Sequence, residues 1–238
     1  MKRGQITLFI IIGILVLLAV SLTLYVNKEY IKNLFEERIT RLENIPQEIQ
    51  PLENHIKSCI EDTAKLSLNL VFAQGGYFEP KNHIRMEAFD VAYWFDEKDI
   101  SPSIQTIEKE IAKSIRYLIT GCIMDFEEDY KINIKIIKPI VKISGDKIIS
   151  SAEVRLIVEY KNLTYNLNKN YEASFESEAK NIYDSAKIII QSEKEDPGSM
   201  DLTLLSNLPQ IVNFFKFNET IVYVVSDKEP YLMFANRF

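Results

Sequence analysis

The chain has 238 residues, 47% of them hydrophobic and 26% charged, with 7 Gly and 8 Pro, which excludes general disorder and long glycine-rich phosphate loops. Its net charge is −6, and Lys2 with Arg3 contribute +2, which leaves −8 beyond Val26. So acidic a surface disfavours nucleic acid and anionic lipid headgroups as partners.

Ile6–Val26 carries no charge and is long enough as a helix to span a hydrocarbon core of about 30 Å. Lys2 and Arg3 precede it, so the positive-inside rule keeps the N-terminus in the cytoplasm and the rest of the chain outside. The run is longer than the apolar part of a cleaved secretory signal, and Ala19-Val20-Ser21 lies inside it, so residues 1–26 read as a retained signal-anchor. In residues 27–50, Ile31, Leu34, Phe35, Ile39, Leu42 and Ile45 recur at helical steps among charged residues. This predicts an amphipathic stalk helix, ended by Pro46.

Residues 51–129 read as a small helical subdomain. One helix is expected over Leu52–Phe72, with Leu52, Ile56, Cys59, Ile60, Thr63, Leu66 and Leu70 on its buried face and Gly75-Gly76 closing it. Val91, Tyr93 and Phe95 alternate with Ala92 and Trp94 as an aromatic strand, with a partner near Ile84–Met86. Ser101-Pro102 then supplies an N-cap and first-turn proline for a helix carrying Ile104, Ile107, Ile111, Ile115, Leu118, Ile119 and Cys122 on one face.

Over 130–238 the period changes to two. Ile132–Ile136, Ala152–Tyr160 and Leu163–Phe175 predict a three-stranded antiparallel meander with turns at Ser144–Lys147 and Tyr160–Leu163; Pro139 marks an edge strand or bulge. The stripe Ala179, Ile182, Tyr183, Ala186, Ile189 and Ile190 predicts a helix covering the meander, stopped by Pro197-Gly198. Ile211–Phe217, Thr220–Val225 and Tyr231–Ala235 lack polar alternation and are expected as strands buried on both faces. The fold class is therefore α+β: a transmembrane helix continuing into a stalk, a helical subdomain, and an antiparallel sheet packed by one helix.

Cys59 and Cys122 are the only cysteines, both on apolar faces of helices expected outside the cytoplasm, so a disulfide is favoured over two buried thiols. It would close a loop of about 60 residues, worth roughly 4 kcal/mol in the chain-entropy model. His55 and His83 sit in no zinc-ligand spacing, and no nucleophile or metalloprotease motif occurs. The acidic run Asp125–Asp129 lacks the ligand alternation of a calcium loop and reads as a solvated connection. Asn162-Leu163-Thr164 and Asn218-Glu219-Thr220 are glycosylation sequons on expected turns. Tyr77, Phe78, Tyr93, Trp94 and Phe95 form an aromatic group read as core, with a partner- or glycan-binding face as the alternative.

Lys2-Arg3-Gly4-Gln5 before the apolar run resembles the class III, prepilin-type signals of archaeal surface proteins. That resemblance implies cleavage after Gly4, with Gln5 as the new N-terminus and the apolar helix kept as anchor and filament core. The chain departs from the pattern at Phe9, where many such signals carry glutamate. Arg3–Ile10, Gln74–Tyr77 and Ser101–Ile104 are also similar to uncharacterised membrane-anchored proteins of small archaea. The expectation is a single-pass cell-membrane protein, inserted through residues 6–26, whose external domain binds or scaffolds a protein partner or self-assembles. It calls for no cofactor, metal, nucleic acid or enzymatic chemistry. The alternative is a pilin-like subunit processed after Gly4.

Overall fold

At Tyr130 the side-chain period changes from helical to two, and there the chain passes from its first helix pair into a long meander. The computed structural model describes residues 46–87, 89–227 and 229–238, of which 52–238 form one unit. The expected membrane segment 6–26, the candidate processing site Gly4/Gln5 and the stalk before residue 46 lie outside the described residues. Among the described residues no helix is long and apolar enough to cross a membrane.

Helix α1 (Gln50–Ala73) and helix α2 (Ile104–Met124) flank three short strands, β1 (His83–Arg85), β2 (Asp90–Asp96) and β3 (Lys98–Asp99). The meander follows as β4 (Lys131–Ser144), β5 (Lys147–Tyr160) and β6 (Leu163–Glu176), then α3 (Ala179–Glu195), a one-turn α4 (Leu202–Asn207), and β7 (Ile211–Phe217), β8 (Thr220–Ser226) and β9 (Tyr231–Arg237). The class is α+β, as expected, with two sheets rather than one.

The meander runs β4-β5-β6, antiparallel throughout. Its tight turns form where Gly145 and the pair Lys161-Asn162 accept positive φ. Ile148, Ala152, Val154, Leu156 and Val158 point to the core from β5. β4 is an edge strand and also carries a register shift between Ile134 and Ile136. Past that bulge the inward parity changes, so Ile137, Val141 and Ile143 are buried instead of Ile136.

The second sheet has the order β1-β2-β9-β8-β7, with β3 paired to β2. Its pairs are antiparallel except β2 with β9, which is parallel. Segments on both sides of position 129 therefore share one sheet, and the expected boundary there separates partners. The long crossover from β2 to β9 supplies the connection that parallel pairing needs.

The meander's cover differs from the expected one. α2 packs along β4. α1 reaches β6, where buried Glu53 accepts from Tyr171 (3.1 Å) and from Lys169 (3.3 Å). α3 instead lies chiefly on β8 and β9, with lesser contacts to β2, β3 and the meander strand β4, and all six residues of its predicted stripe are buried. Adjacency in sequence suggested α3 for the meander; the disulfide-linked pair α1–α2 occupies that face.

Local differences have local causes. α1 buries Leu52, Ile56, Cys59, Ile60 and Thr63 as expected, but beyond them the buried face rotates to Ala64, Ser67, Leu68 and Val71, leaving Leu66 55% exposed. The N-cap of α2 is Ser103, whose hydroxyl accepts from Thr106 N–H, rather than Ser101. α1 ends where Gly75 and Gly76 take positive φ, with Gly76 N–H donating to Val71 O at 2.8 Å. A Cβ on Gly75 would sit 2.9 Å from Ala92 Cβ, so glycine permits this helix end to meet β2.

Trp94 is the pivot of the core between α3 and the second sheet. It is fully buried, donates through Nε1 to Gly75 O (2.8 Å), stacks on Phe234 (4.6 Å) and meets Tyr183 edge-on (6.1 Å). Phe234 stacks in turn on Tyr223 (5.3 Å). β8 and β9 are buried as expected. β7 is not: it is an edge strand with Ile211, Phe214, Phe215 and Phe217 exposed. Phe234→Ala should cost about 3–5 kcal/mol, whereas Phe215→Ala should stay within about 1 kcal/mol, as read from urea unfolding.

Candidate functional site

Cys59, buried on α1, and Cys122, half-buried in the last turn of α2, are joined in a disulfide with Cα atoms 5.8 Å apart and a sequence separation of 63. His55 stands one helical turn before Cys59. Its Nε2 lies 2.9 Å from Cys122 O and 3.4 Å from Cys59 Sγ. A carbonyl only accepts, so Nε2 carries the hydrogen in this state. The Phe126 ring lies 4.8 Å from the imidazole and packs edge-on against Tyr130. The acidic run Asp125–Asp129 is thus the connection between α2 and β4, with Phe126 turned inward and the acids exposed. His83 is exposed, its Nδ1 2.9 Å from Pro80 O.

The aromatic group divides. Trp94, Phe95 and Tyr93 are core residues, whereas Tyr77 and Phe78 are half-buried. Tyr77 and Tyr93, with Ile100, Glu110 and Lys113, line a cleft of about 420 Å³. Two of its charges are paired: Glu110 accepts from Phe78 N–H (3.0 Å), and Lys113 pairs with Glu79 (2.7 Å), while Lys81 also lines it. Burial, then the nearby Glu110, raises the Tyr77 pKa, so the phenol stays neutral.

A serine–lysine contact escaped the sequence reading. Lys187 Nζ donates to Ser101 Oγ (2.5 Å), and Ser101 Oγ donates to Asp99 Oδ1 (2.5 Å). Lys187 also approaches Asp99 Oδ2 at 3.4 Å, with Lys194 at 3.8 Å. Burial raises the Asp99 pKa, but the Ser101 hydroxyl and N–H and the Lys187 charge outweigh it and hold the carboxyl below its ordinary value. A lysine that donates to the serine and neutralises a carboxylate has no lone pair for general-base work. The trio ties the β3–α2 connection to α3.

Glu193 also escaped it, although it continues the apolar stripe of α3 one turn past Ile189 and Ile190. It is 2% exposed and accepts from Tyr223 OH at 2.5 Å. Oε2 of Glu193 and both side-chain atoms of Asn236 are buried without a hydrogen bond of normal geometry. Burial raises the Glu193 pKa against the lowering influence of the Tyr223 hydroxyl, the Asn236 amide and the Gly198 backbone, and Asp196 adds to the rise.

β7 is an edge strand: among the described residues it pairs only with β8, and its other backbone edge is open. Ile211 (61%), Phe214 (41%), Phe215 (50%) and Phe217 (45%) are exposed along it. A Phe side chain has about 150–250 Å² of surface, so the three rings alone place on the order of 250 Å² in solvent. Between β7 and α4 lies a groove of about 410 Å³, lined by Leu202, Leu205, Leu208, Pro209, Val212 and Phe214. The expectation of a fully buried strand overlooked Asn213 and Lys216, which put a polar residue on each face. The sequon residues Asn162 and Asn218 lie exposed, at positive φ, in the β5–β6 and β7–β8 turns.

No family model matches the chain, and comparisons with curated proteins and with solved structures return no match.

Cys59→Ser and Cys122→Ser should each lower stability by a few kcal/mol, with little further loss in the double variant, as measured by thermal unfolding without reductant. For Glu193 the folded pKa lies above the unfolded one, so its contribution is complete below about pH 4.5 and is lost as pH rises through the folded value. Glu193→Gln should therefore gain stability relative to the parent between pH 4.5 and pH 7 in urea titrations; parallel pH profiles would refute this role.

Proposed function

We propose that this protein is a single-pass, membrane-anchored scaffold whose external domain self-associates through the β7 edge. The observation that carries the reading is the exposed apolar edge strand itself. An open strand edge templates pairing with another strand, and exposed apolar side chains stand on both faces of this one, where continuing the sheet would cover them. The anchor is residues 6–26, with Lys2 and Arg3 on the cytoplasmic side and the domain at the cell surface. The role in this reading is non-enzymatic, and the Lys187 ammonium is taken up by Ser101 and Asp99.

A second copy fits β7 by its own sequence. Antiparallel pairing about a two-fold axis at Phe214 sets Phe214 against Phe214, Phe217 against Ile211, Phe215 against Asn213 and Lys216 against Val212. Apolar residues meet at the axis and ends, and no like charges oppose. Asn162 and Asn218 are candidate glycan carriers at turns outside the membrane. The Lys2-Arg3-Gly4-Gln5 signal supports a second reading, a pilin-like subunit cut after Gly4 and assembled through its N-terminal helix.

The register gives the test. In full-length protein extracted in detergent, Phe214→Cys should form disulfide-linked dimers on a non-reducing gel, since directly opposed strand residues lie within disulfide reach. Phe217→Cys should not, because the two copies of that position would be roughly 20 Å apart. Adding Phe215→Lys should abolish the cross-link without changing the melting temperature. Equal cross-linking at both positions, or none at either, would overturn edge pairing and leave assembly to the N-terminal helix.

A further inference from the structure

The disulfide, its neighbouring imidazole and the half-buried helix end around them form a ligand set. His55 and Cys59 project from successive turns of α1, and Cys122 meets them from the last turn of α2. One ligand atom from each lies within 4.8 Å of the others. Two thiolates and one imidazole are the donors a zinc-class cation selects, with Zn–S about 2.3 Å and Zn–N about 2.0–2.1 Å. In a tetrahedron with those bond lengths, nitrogen and sulfur sit about 3.6 Å apart. His55 Nε2 and Cys59 Sγ are already 3.4 Å apart.

We propose that His55, Cys59 and Cys122 form a Zn²⁺ site that exists only when the disulfide is reduced. A dithiol reductant supplies two electrons and two protons, the Cys59–Cys122 bond breaks to two thiols, and the reductant leaves as its own disulfide. Zn²⁺ then displaces one proton from each thiol. His55 moves its hydrogen from Nε2 to Nδ1, giving up the bond to Cys122 O and freeing Nε2 to ligate. The sulfurs separate from bonding distance to the span of two zinc ligands by side-chain rotation, and α1 and α2 stay clipped together. His55 and Cys122 are half-buried, so the fourth position opens to solvent. The two chemistries exclude each other, and either one closes the same loop between the helices. A chain still in a reducing compartment would thus hold a metal clip where the oxidised chain holds a covalent one.

The test uses the full-length protein in detergent, reduced with a phosphine under nitrogen and compared with the untreated form. The reduced protein should bind one Zn²⁺ per chain, and the disulfide form none. His55→Ala should weaken binding by about tenfold or more while both thiols remain countable. Cys59→Ser with Cys122→Ser should abolish binding. Co²⁺ in place of Zn²⁺ should give thiolate-to-cobalt charge-transfer absorption and the visible bands of a tetrahedral site. A reduced, folded chain that binds no Zn²⁺, or binds it equally well without His55, would overturn the site. So would a reduced chain that loses its circular dichroism and does not recover it with Zn²⁺.

Discussion

The parallel pairing of β2 with β9 is the constraint on which the rest of this domain depends. It places the most C-terminal strand inside a sheet, between β2 and β8, and thereby joins segments more than a hundred residues apart. The pairing holds because the side chains above it interlock. Phe234 of β9 stacks between Trp94 of β2 and Tyr223 of β8, and Trp94 reaches back to Gly75 at the end of α1. The cost of closing so long a loop grows only slowly with its length, whereas each buried ring contributes a full transfer term.

Three buried glutamates show how the domain treats acids. Glu53 joins α1 to β6 through Tyr171 and Lys169, and Glu108 joins α2 to β4 through Ile143 N–H (3.0 Å) and Lys142 (3.1 Å). Both recover in hydrogen bonds what burial takes away, so they serve as polar latches for the helices over the meander. Glu193 recovers less: one oxygen receives Tyr223, while the other faces an Asn236 amide without a bond of normal geometry. Burial then favours its neutral form.

The sheet edges are managed unequally, and the contrast supports the functional reading. β4 carries a bulge, Pro139, alternating lysines and the Glu108 latch. β6 is lined on its outward face by Thr, Asn, Glu and Ser. Such features block edge-to-edge association. β7 has a single charge, Lys216, among four exposed large apolar residues. An unprotected edge beside two protected ones is what an interface strand requires.

Much of this architecture was legible in the residues. The helical periods of α1, α2 and α3, the two-residue period of the meander and its turn residues all encode local conformation, which depends on neighbours within a few positions. The Cys59–Cys122 pairing was legible because only two cysteines exist and both sat on apolar faces. Partner choice was not legible. Whether α3 or the α1–α2 pair covers the meander, and whether β9 pairs with β2, depends on the complementarity of surfaces far apart in the chain, and an apolar stripe does not name its partner. The exposure of β7 was hidden for the same reason: apolar residues mark a strand that wants cover, and only the order of strands in the sheet decides which strand is left at the edge. The convergence of His55 on the disulfide and of Lys187 on Ser101 belongs to that class too. By itself the sequence determined periodicity, turns and the one available crosslink. The tertiary structure decided which faces meet, because burial rewards any apolar contact and geometry alone selects among them.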